Sequence, residues 1–286
     1  MATLPASFPA TRGNPAVLMV LGSCASLQVG AALAAHLFPV TGSAGATLLR
    51  LGLAAAVLLA VARPAVRAWQ AHQWRAVVLL GVTLAGMNGF FYAAIARIPL
   101  GPAVTIQFLG PLALSAVLSR RLRDASWVLL AAAGVALFGF SDGAGALDPV
   151  GVGLILVAAV FWALYILASS RAGAAVPGHG GLAIAMTTAA LVLLPLGLTG
   201  AEKAVTSPTL LLLALGTGIL ASVIPYTLEL SALRRLPKRV FGVLLSLEPA
   251  AAAVAGWLLL GQPMTWLTGT AVAVVVLASI GSTAFA

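Results

Sequence analysis

The sequence predicts an all-α membrane protein: ten transmembrane helices arranged as two inverted five-helix repeats, with N- and C-termini cytoplasmic. Three observations predict it. The chain carries very little charge, its apolar runs are long and unbroken, and its two halves repeat with their basic loops exchanged. Of 286 residues, 6 are acidic and 15 basic, which makes 7% charged. An ordinary soluble domain has about 25%. Hydrophobic residues reach 62%, and mean hydropathy is +1.11. So few polar groups cannot cover a soluble globule, which excludes a soluble enzyme and a disordered chain. The lone Cys24 excludes a disulfide scaffold. The net charge of +9 lies in short clusters between apolar runs, a pattern that orients a membrane protein rather than one that grips nucleic acid.

A bilayer core of about 30 Å needs roughly 20 apolar residues per helix. Ten runs between charged or Pro/Gly-rich breaks meet this: 15–35, 42–62, 74–96, 101–119, 126–141, 150–170, 181–199, 209–232, 239–260 and 265–285. They are continuously apolar rather than alternating, which favours helices over a barrel. Pro111, Pro195, Pro225 and Pro249 lie inside four of them and predict kinks. The first run also reads as a secretory signal, but nine further runs follow it.

With the N-terminus in the cytoplasm, twelve Lys and Arg residues fall in the inside segments: Arg12; Arg63, Arg67 and Arg75; Arg120, Arg121 and Arg123; Arg171; and Arg234, Arg235, Lys238 and Arg239. The outside loops hold only Arg97 and Lys203, and Arg50 lies within a span. This bias puts both termini inside.

The segment PLGPAVTIQFLGP (99–111) returns as PKRVFGVLLSLEP (237–249), an offset of 138 residues. The same offset pairs Pro39 with Pro177 and Gly42 with Gly180, and Trp127 meets Trp266 at 139. A cytoplasmic tail (1–14) is therefore followed by a first repeat (15–147) and a second (148–286). Five spans is an odd number, so the second repeat is inverted. Its charges agree: the arginine-rich 120–123 loop has an uncharged mate at 258–261, whereas Arg97 has a mate with four basic residues. Inverted repeats mark secondary transporters, with a site near the midplane between the halves.

Ionisable groups inside a span cost on the order of 2.5–3.5 kcal/mol even on insertion scales, so the few present are candidates for function. Arg50 is near mid-depth in span two and remains charged. It holds a substrate carboxylate, or it makes a structural ion pair with Glu248 or bonds to backbone carbonyls. Glu248 is near mid-depth in span nine. The following Pro249 weakens the helix and frees carbonyls that could receive an ammonium group or a proton. Glu229 lies toward the cytoplasmic end of span eight, five residues before Arg234, and could be a gate. Asn88 with Tyr92, Tyr226 with Glu229, and Trp162 with Tyr165 share helix faces at i, i+3 or i, i+4. Gln28 and Gln107 add uncharged amides in spans one and four. His36, at a span end, reads as interfacial. No His, Cys or carboxylate set has metal-ligand spacing.

Four stretches resemble one family: LFPVTGSAGATLLRLGLA (37–54), MNGFFYAAIARIPLGPAVTIQFLGPLALSAVLSRR (87–121), FWALYILASSRAG (161–173) and IPYTLELSALRRLPKRVFGVLLSLEPAAAAVAG (224–256). In combination they resemble the drug/metabolite transporter superfamily, in its EamA-type ten-helix branch, and more narrowly the bacterial threonine/homoserine exporters. The resemblance implies a multi-pass protein of the bacterial cytoplasmic (inner) membrane that exports small neutral amino acids by alternating access, driven by protons. It implies a cavity lined by spans one, three, four, six, eight and nine. The candidates there are Gln28, Asn88, Tyr92, Gln107, Trp162, Tyr165, Tyr226, Glu229 and Glu248, joined by Arg50. Two positions depart from the family pattern. Span four carries Gln107 where a glutamate is expected, which leaves proton coupling to Glu248 or Glu229. Gln262 replaces the glutamate usual after the glycine of the ninth span. Beyond substrate, protons and the bilayer no partner is expected; no nucleic acid, cofactor or metal is foreseen, and the chain is read as a monomer.

A drug or other metabolite exporter of the same fold is the alternative. Small multidrug exporters carry an essential carboxylate in their first helix, where this chain offers only Gln28. An intramembrane enzyme is disfavoured because Asp124, Asp142 and Asp148 lie in or beside loops and no span holds a lysine. A channel is disfavoured by the lack of a filter-like motif.

Overall fold

The structure, a computed structural model, describes residues 15–119, 122–140, 147–176, 178–233 and 235–284. The expected tail (1–14), Arg120, Arg121, Ser141, Asp142, Pro177, Arg234 and the last two residues lie outside the described residues, as do the side chains of Arg123, Asp124, Lys238 and Arg239. The described residues contain helices and turns and no strand.

Thirteen α-helices follow in order: α1 (Pro15–Ala35), α2 (Phe38–Ala62), α3 (Ala71–Ile95), α4 (Leu100–Gln107), α5 (Leu109–Ser119), α6 (Leu122–Ala136), α7 (Pro149–Ala175), α8 (Gly180–Val205), α9 (Pro208–Gly218), α10 (Ile224–Leu233), α11 (Lys238–Leu245), α12 (Glu248–Leu260) and α13 (Trp266–Ala284). Among the described residues nine segments are long and apolar enough to cross a membrane. The chain is a multi-pass membrane protein. The expected fifth span is a shorter apolar helix, Ala125–Ala136, continued by a 3-10 turn over Leu137–Phe140. Helix α2 starts at Phe38, ahead of the expected residue 42, because Gly42 takes a positive φ of 64° and lets the chain bend within the helix.

Three of the four prolines coincide with breaks. The ladder is interrupted at Phe108 before Pro111, becomes a π-helical turn over Ile219–Val223 before Pro225, and stops between Leu245 and Glu248 before Pro249. In each case the proline lacks the N–H that would bond four residues back, and the backbone yields one turn earlier. Pro195 behaves otherwise: α8 runs unbroken through it. Its ring lies on an exposed face between Leu194 and Leu196, where no neighbouring helix resists a gentle bend.

Helix pairing is governed by small residues, as expected where lipid removes the hydrophobic drive between helices. Helix α2 lies against α8, with a Cβ on Gly200 falling only 2.0 Å from the Thr41 carbonyl oxygen. Helix α1 packs on α10, α12 and the π turn, where a Cβ on Gly30 would sit 2.5 Å from the Ala221 nitrogen. Helix α7 packs on α3, α4 with α12, and α6 with α13. The first helix thus leans on the second half of the chain, and α7, the first helix of that half, leans on the first.

Candidate functional site

The breaks converge on a single cavity of about 420 Å³. Its walls are α1 at Leu27, Gln28 and Ala31; α2 at Arg50; α3 at Met87, Asn88 and Phe91; and the α4–α5 break at Gln107, Phe108 and Pro111. Helix α7 adds Trp162, Tyr165 and Ser169, and α10 adds Tyr226 and Glu229. The α11–α12 break supplies Phe241, Leu245 and Glu248, and α13 closes the ring with Ser279, Ser282 and Thr283. The lining runs from mid-helix to the bundle end where Ser115, Ser169 and Thr283 lie. Toward the opposite end the bundle is tight. There Gln262 Oε1 accepts from the Leu100 N–H at 2.9 Å, and Arg97 pairs with Asp148 at 3.2 Å.

Arg50 is 2% exposed, and its partners explain why a charge survives there. Pro225 cannot donate to the Ala221 carbonyl, and the π turn sends the Ile224 N–H back to Ile219, which leaves the Leu220 carbonyl without its usual donor. Arg50 Nη2 donates to the Ala221 oxygen at 2.5 Å, and Nε donates to Ser222 Oγ at 3.0 Å. Ser26 of α1 donates to the Leu220 oxygen at 2.7 Å. The guanidinium also lies 5.2 Å from the ring centroid of Tyr92, within cation–π range. Of the sequence alternatives for Arg50, the bond to a backbone carbonyl is the one present. Among the described residues Arg50 has no carboxylate within 4.0 Å, so the ion pair with Glu248 is absent.

Both carboxylates are held instead by neutral groups of α1. Ser23 Oγ donates to Glu229 Oε1 at 2.5 Å, and Gln28 Nε2 donates to Glu248 Oε1 at 3.1 Å. Tyr226 stands among Arg50, Glu229, Glu248 and Asn88. The Asn88 amide donates to the Leu84 carbonyl at 2.9 Å, and the residue lines the cavity. Trp162 meets Phe108 edge-on at 4.9 Å, and Tyr165 lies 6.5 Å from Tyr226. The site therefore joins a polar centre to an aromatic wall.

Nine of the ten candidate residues line the cavity. Tyr92 does not: it is fully buried behind Arg50 and edge-on to Phe38. Sequence reasoning passed over Ser23, Ser115 and the α13 serines. Ser279 Oγ lies 2.6 Å from Ser246 Oγ, and Ser282 Oγ 3.4 Å from Ser115 Oγ. Their i, i+3 spacing on α13 was the available signal. His36 lies in the exposed turn between α1 and α2, its Nδ1 3.1 Å from the Ala32 oxygen. No group of three or more His, Cys, Asp or Glu that could hold a metal occurs among the described residues.

Residues 149–284 match the model of the EamA-like transporter family. Over 93% of this chain and 90% of theirs, the sequence is 41% identical to the threonine/homoserine exporter RhtA of Escherichia coli strain K12. It is 40% identical, over the same shares, to RhtA of Salmonella typhimurium strain LT2. A protein of known crystal structure, 22% identical, superimposes with a TM-score of 0.63 over 95% of this chain and 97% of its own. That likeness shows a shared fold.

Proposed function

The chain belongs to the EamA-like transporter family, and from that premise we propose that it exports small neutral amino acids of the threonine/homoserine kind across the bacterial inner membrane. The observation that carries the chemistry is the pair of carboxylates within the spans, Glu248 buried and Glu229 half-buried, each bonded to a neutral partner rather than a cation. A carboxylate in a span costs a few kcal/mol unless neutralised. A substrate ammonium or a proton can do this in turn. With the cavity open inward, Glu248 takes up the ammonium group; with it open outward, a proton replaces the substrate. One carboxylate then exchanges cargo for proton in each cycle, and Glu229 gives the proton a second station nearer the basic loops. Arg50, whose Nε and Nη2 are engaged, offers its cavity-facing side to the substrate carboxylate. Asn88, Gln107, Tyr165, Tyr226 and Trp162 enclose the remainder of the molecule, while Tyr92 supports Arg50 from behind.

Alternating access follows from two five-helix repeats, 15–147 and 148–286, in inverted topology across ten spans, with both termini cytoplasmic. Helix pairing supports this reading: α2 with α8, α4 with α12 and α6 with α13 join equivalent spans of the two halves. The packing of α1 on α10 is mirrored by that of α7 on α3. Under this topology the cavity faces the cytoplasm, and the Gln262–Leu100 contact closes the outside.

Proteoliposomes loaded with labelled threonine test the proposal. Imposed external acid should accelerate efflux, and Glu248→Gln should remove that acceleration while the protein still folds. Threonine flux indifferent to both would overturn the coupling scheme, and the absence of any flux would overturn the cargo.

A further inference from the structure

We propose that the break in the ninth span, together with Gln28 opposite, forms an all-oxygen site for a small monovalent cation: the substrate's ammonium group or an alkali ion. Gln28 is 2% exposed. Its Nε2 is engaged by Glu248, yet its Oε1 is buried without a hydrogen-bond partner. Buried amide oxygens are ordinarily satisfied, so an orphan on a residue of the cavity wall points to a missing donor or cation. Helix α11 ends at Leu245, and Pro249 has no N–H to return to the Leu245 carbonyl. Leu245, Gln28 and Glu248 all line the same cavity. The C-terminal end of α11 adds the partial negative charge of the helix dipole.

Gln28 and Glu248 are bonded to each other and Leu245 lines the same cavity, so the acceptors this wall supplies are an amide oxygen, a carboxylate and a freed peptide carbonyl. Ser246 is not part of the set, since its hydroxyl bonds to the Gly242 carbonyl at 2.9 Å and to Ser279 Oγ at 2.6 Å. One carboxylate provides one negative charge, which suits a monovalent cation better than a divalent one. Sulfur and imidazole are absent from the set, which disfavours transition metals. A primary ammonium presents three N–H donors to three acceptors; a sodium ion would be held by the same oxygens. The ammonium case rests on the amino-acid export reading above, and the alkali-ion case does not.

Thermal unfolding of the purified chain in detergent distinguishes the sources. One series compares sodium, potassium and choline chloride at equal ionic strength without substrate. A second compares threonine, its amino alcohol lacking the carboxylate, and its hydroxy acid lacking the amine. The site predicts stabilisation by sodium over choline, or by threonine and the amino alcohol over the hydroxy acid. Gln28→Met removes the orphan oxygen, and Pro249→Ala restores an N–H to the Leu245 carbonyl while favouring a continuous helix. Each should raise the apparent Kd of the stabilising ligand about tenfold or more, as for loss of a hydrogen bond to a charged group. Unfolding temperatures without ligand verify that both variants fold. Threonine transported and bound equally by the wild type and both variants would overturn the site and leave the export reading intact. A sodium effect lost in both variants, with no response to threonine, would uphold the site and overturn the export reading. Wild-type indifference to every compound would overturn the site.

Discussion

Replacing Arg50 by methionine sets two opposing terms against each other, and a second substitution separates them. The change abolishes the bonds to the Ala221 carbonyl and Ser222 and removes the cation from above Tyr92. In membrane proteins hydrogen bonds between helices average about 0.6 kcal/mol and reach about 1.7. The two bonds together are therefore worth about 1–3 kcal/mol. Against this, the guanidinium no longer has to be buried, which relieves about 2.5–3.5 kcal/mol on insertion scales. The single variant can consequently shift in either direction. In a Pro225→Ala background the residue at 225 has an N–H, and the Ala221 carbonyl regains its helical donor. Arg50→Met then leaves no orphan, and the destabilisation it causes is smaller by about 1–2 kcal/mol than in the parent. At about 2–4 °C per kcal/mol, a four-variant thermal unfolding cycle in detergent should show a coupling of roughly 2–8 °C. Strict additivity, within about 0.3 kcal/mol, would refute the assignment of Arg50 as the replacement donor for the broken helix.

Gly200→Leu must separate α2 from α8, because a Cβ there would lie 2.0 Å from the Thr41 oxygen; overpacking of about 1–3 kcal/mol or more should appear as a lowered Tm. Gly153→Leu, where a Cβ meets nothing within 4 Å, should leave Tm unchanged. Gln262→Ala deprives the Leu100 N–H of its acceptor and should cost about 0.5–2 kcal/mol in detergent unfolding, as for a lost helix cap, whereas Gln262→Glu should retain the acceptor. Asp148 lies outside the spans, and its carboxyl is held below the ordinary range, first by the Val150 N–H and then by Arg97. A depressed carboxyl stabilises the fold above its unfolded value of about 3.9, and that stabilisation disappears as pH falls through the lower folded value. Wild type should therefore exceed Asp148→Asn by a constant margin from pH 5 to 8 and converge with it below pH 4; a margin unchanged in strong acid would refute this.

How far the sequence speaks differs between the spans, their packing and the site. Spans were legible because apolar length is a direct requirement of the bilayer, and the breaks were legible because Pro111, Pro225 and Pro249 each remove a donor. Pro195 shows the limit: the same residue type leaves a helix unbroken where it lies on an exposed face. Pairing was not legible. Helices that are apolar on every side show no face, so nothing in residues 15–35 announces that α1 leans on α10 and α12. Within the site, the carboxylates and amides stood out because polarity is costly in a span. Ser23 did not, since a serine in a membrane helix ordinarily bonds its own backbone, as Ser246 does with the Gly242 carbonyl. Arg50 was ambiguous because its partner is a peptide carbonyl. The signal lay elsewhere in the chain, at Pro225, which frees the carbonyl four residues before it.

The position of that one arginine determines what the cavity can do. Had Arg50 paired with Glu248, the two charges would have neutralised each other, and an incoming cation would have had to break a buried ion pair, at a cost of roughly 3–5 kcal/mol. Engaged by Ala221 and Ser222, Arg50 leaves both carboxylates with partners that satisfy one oxygen and no charge. A hydrogen bond from Ser23 or Gln28 positions a carboxylate without cancelling it, so the attraction for a proton or an ammonium group persists. Both neutral partners lie on α1, five residues apart, and Ser26 between them holds the π turn. The groups that hold Glu229 and Glu248 therefore belong to one helix, and that helix is also bonded to the π turn between α9 and α10. In the exchange proposed above, binding and rearrangement would share that one helix, which is what mutual exclusion of cargo and counter-ion requires.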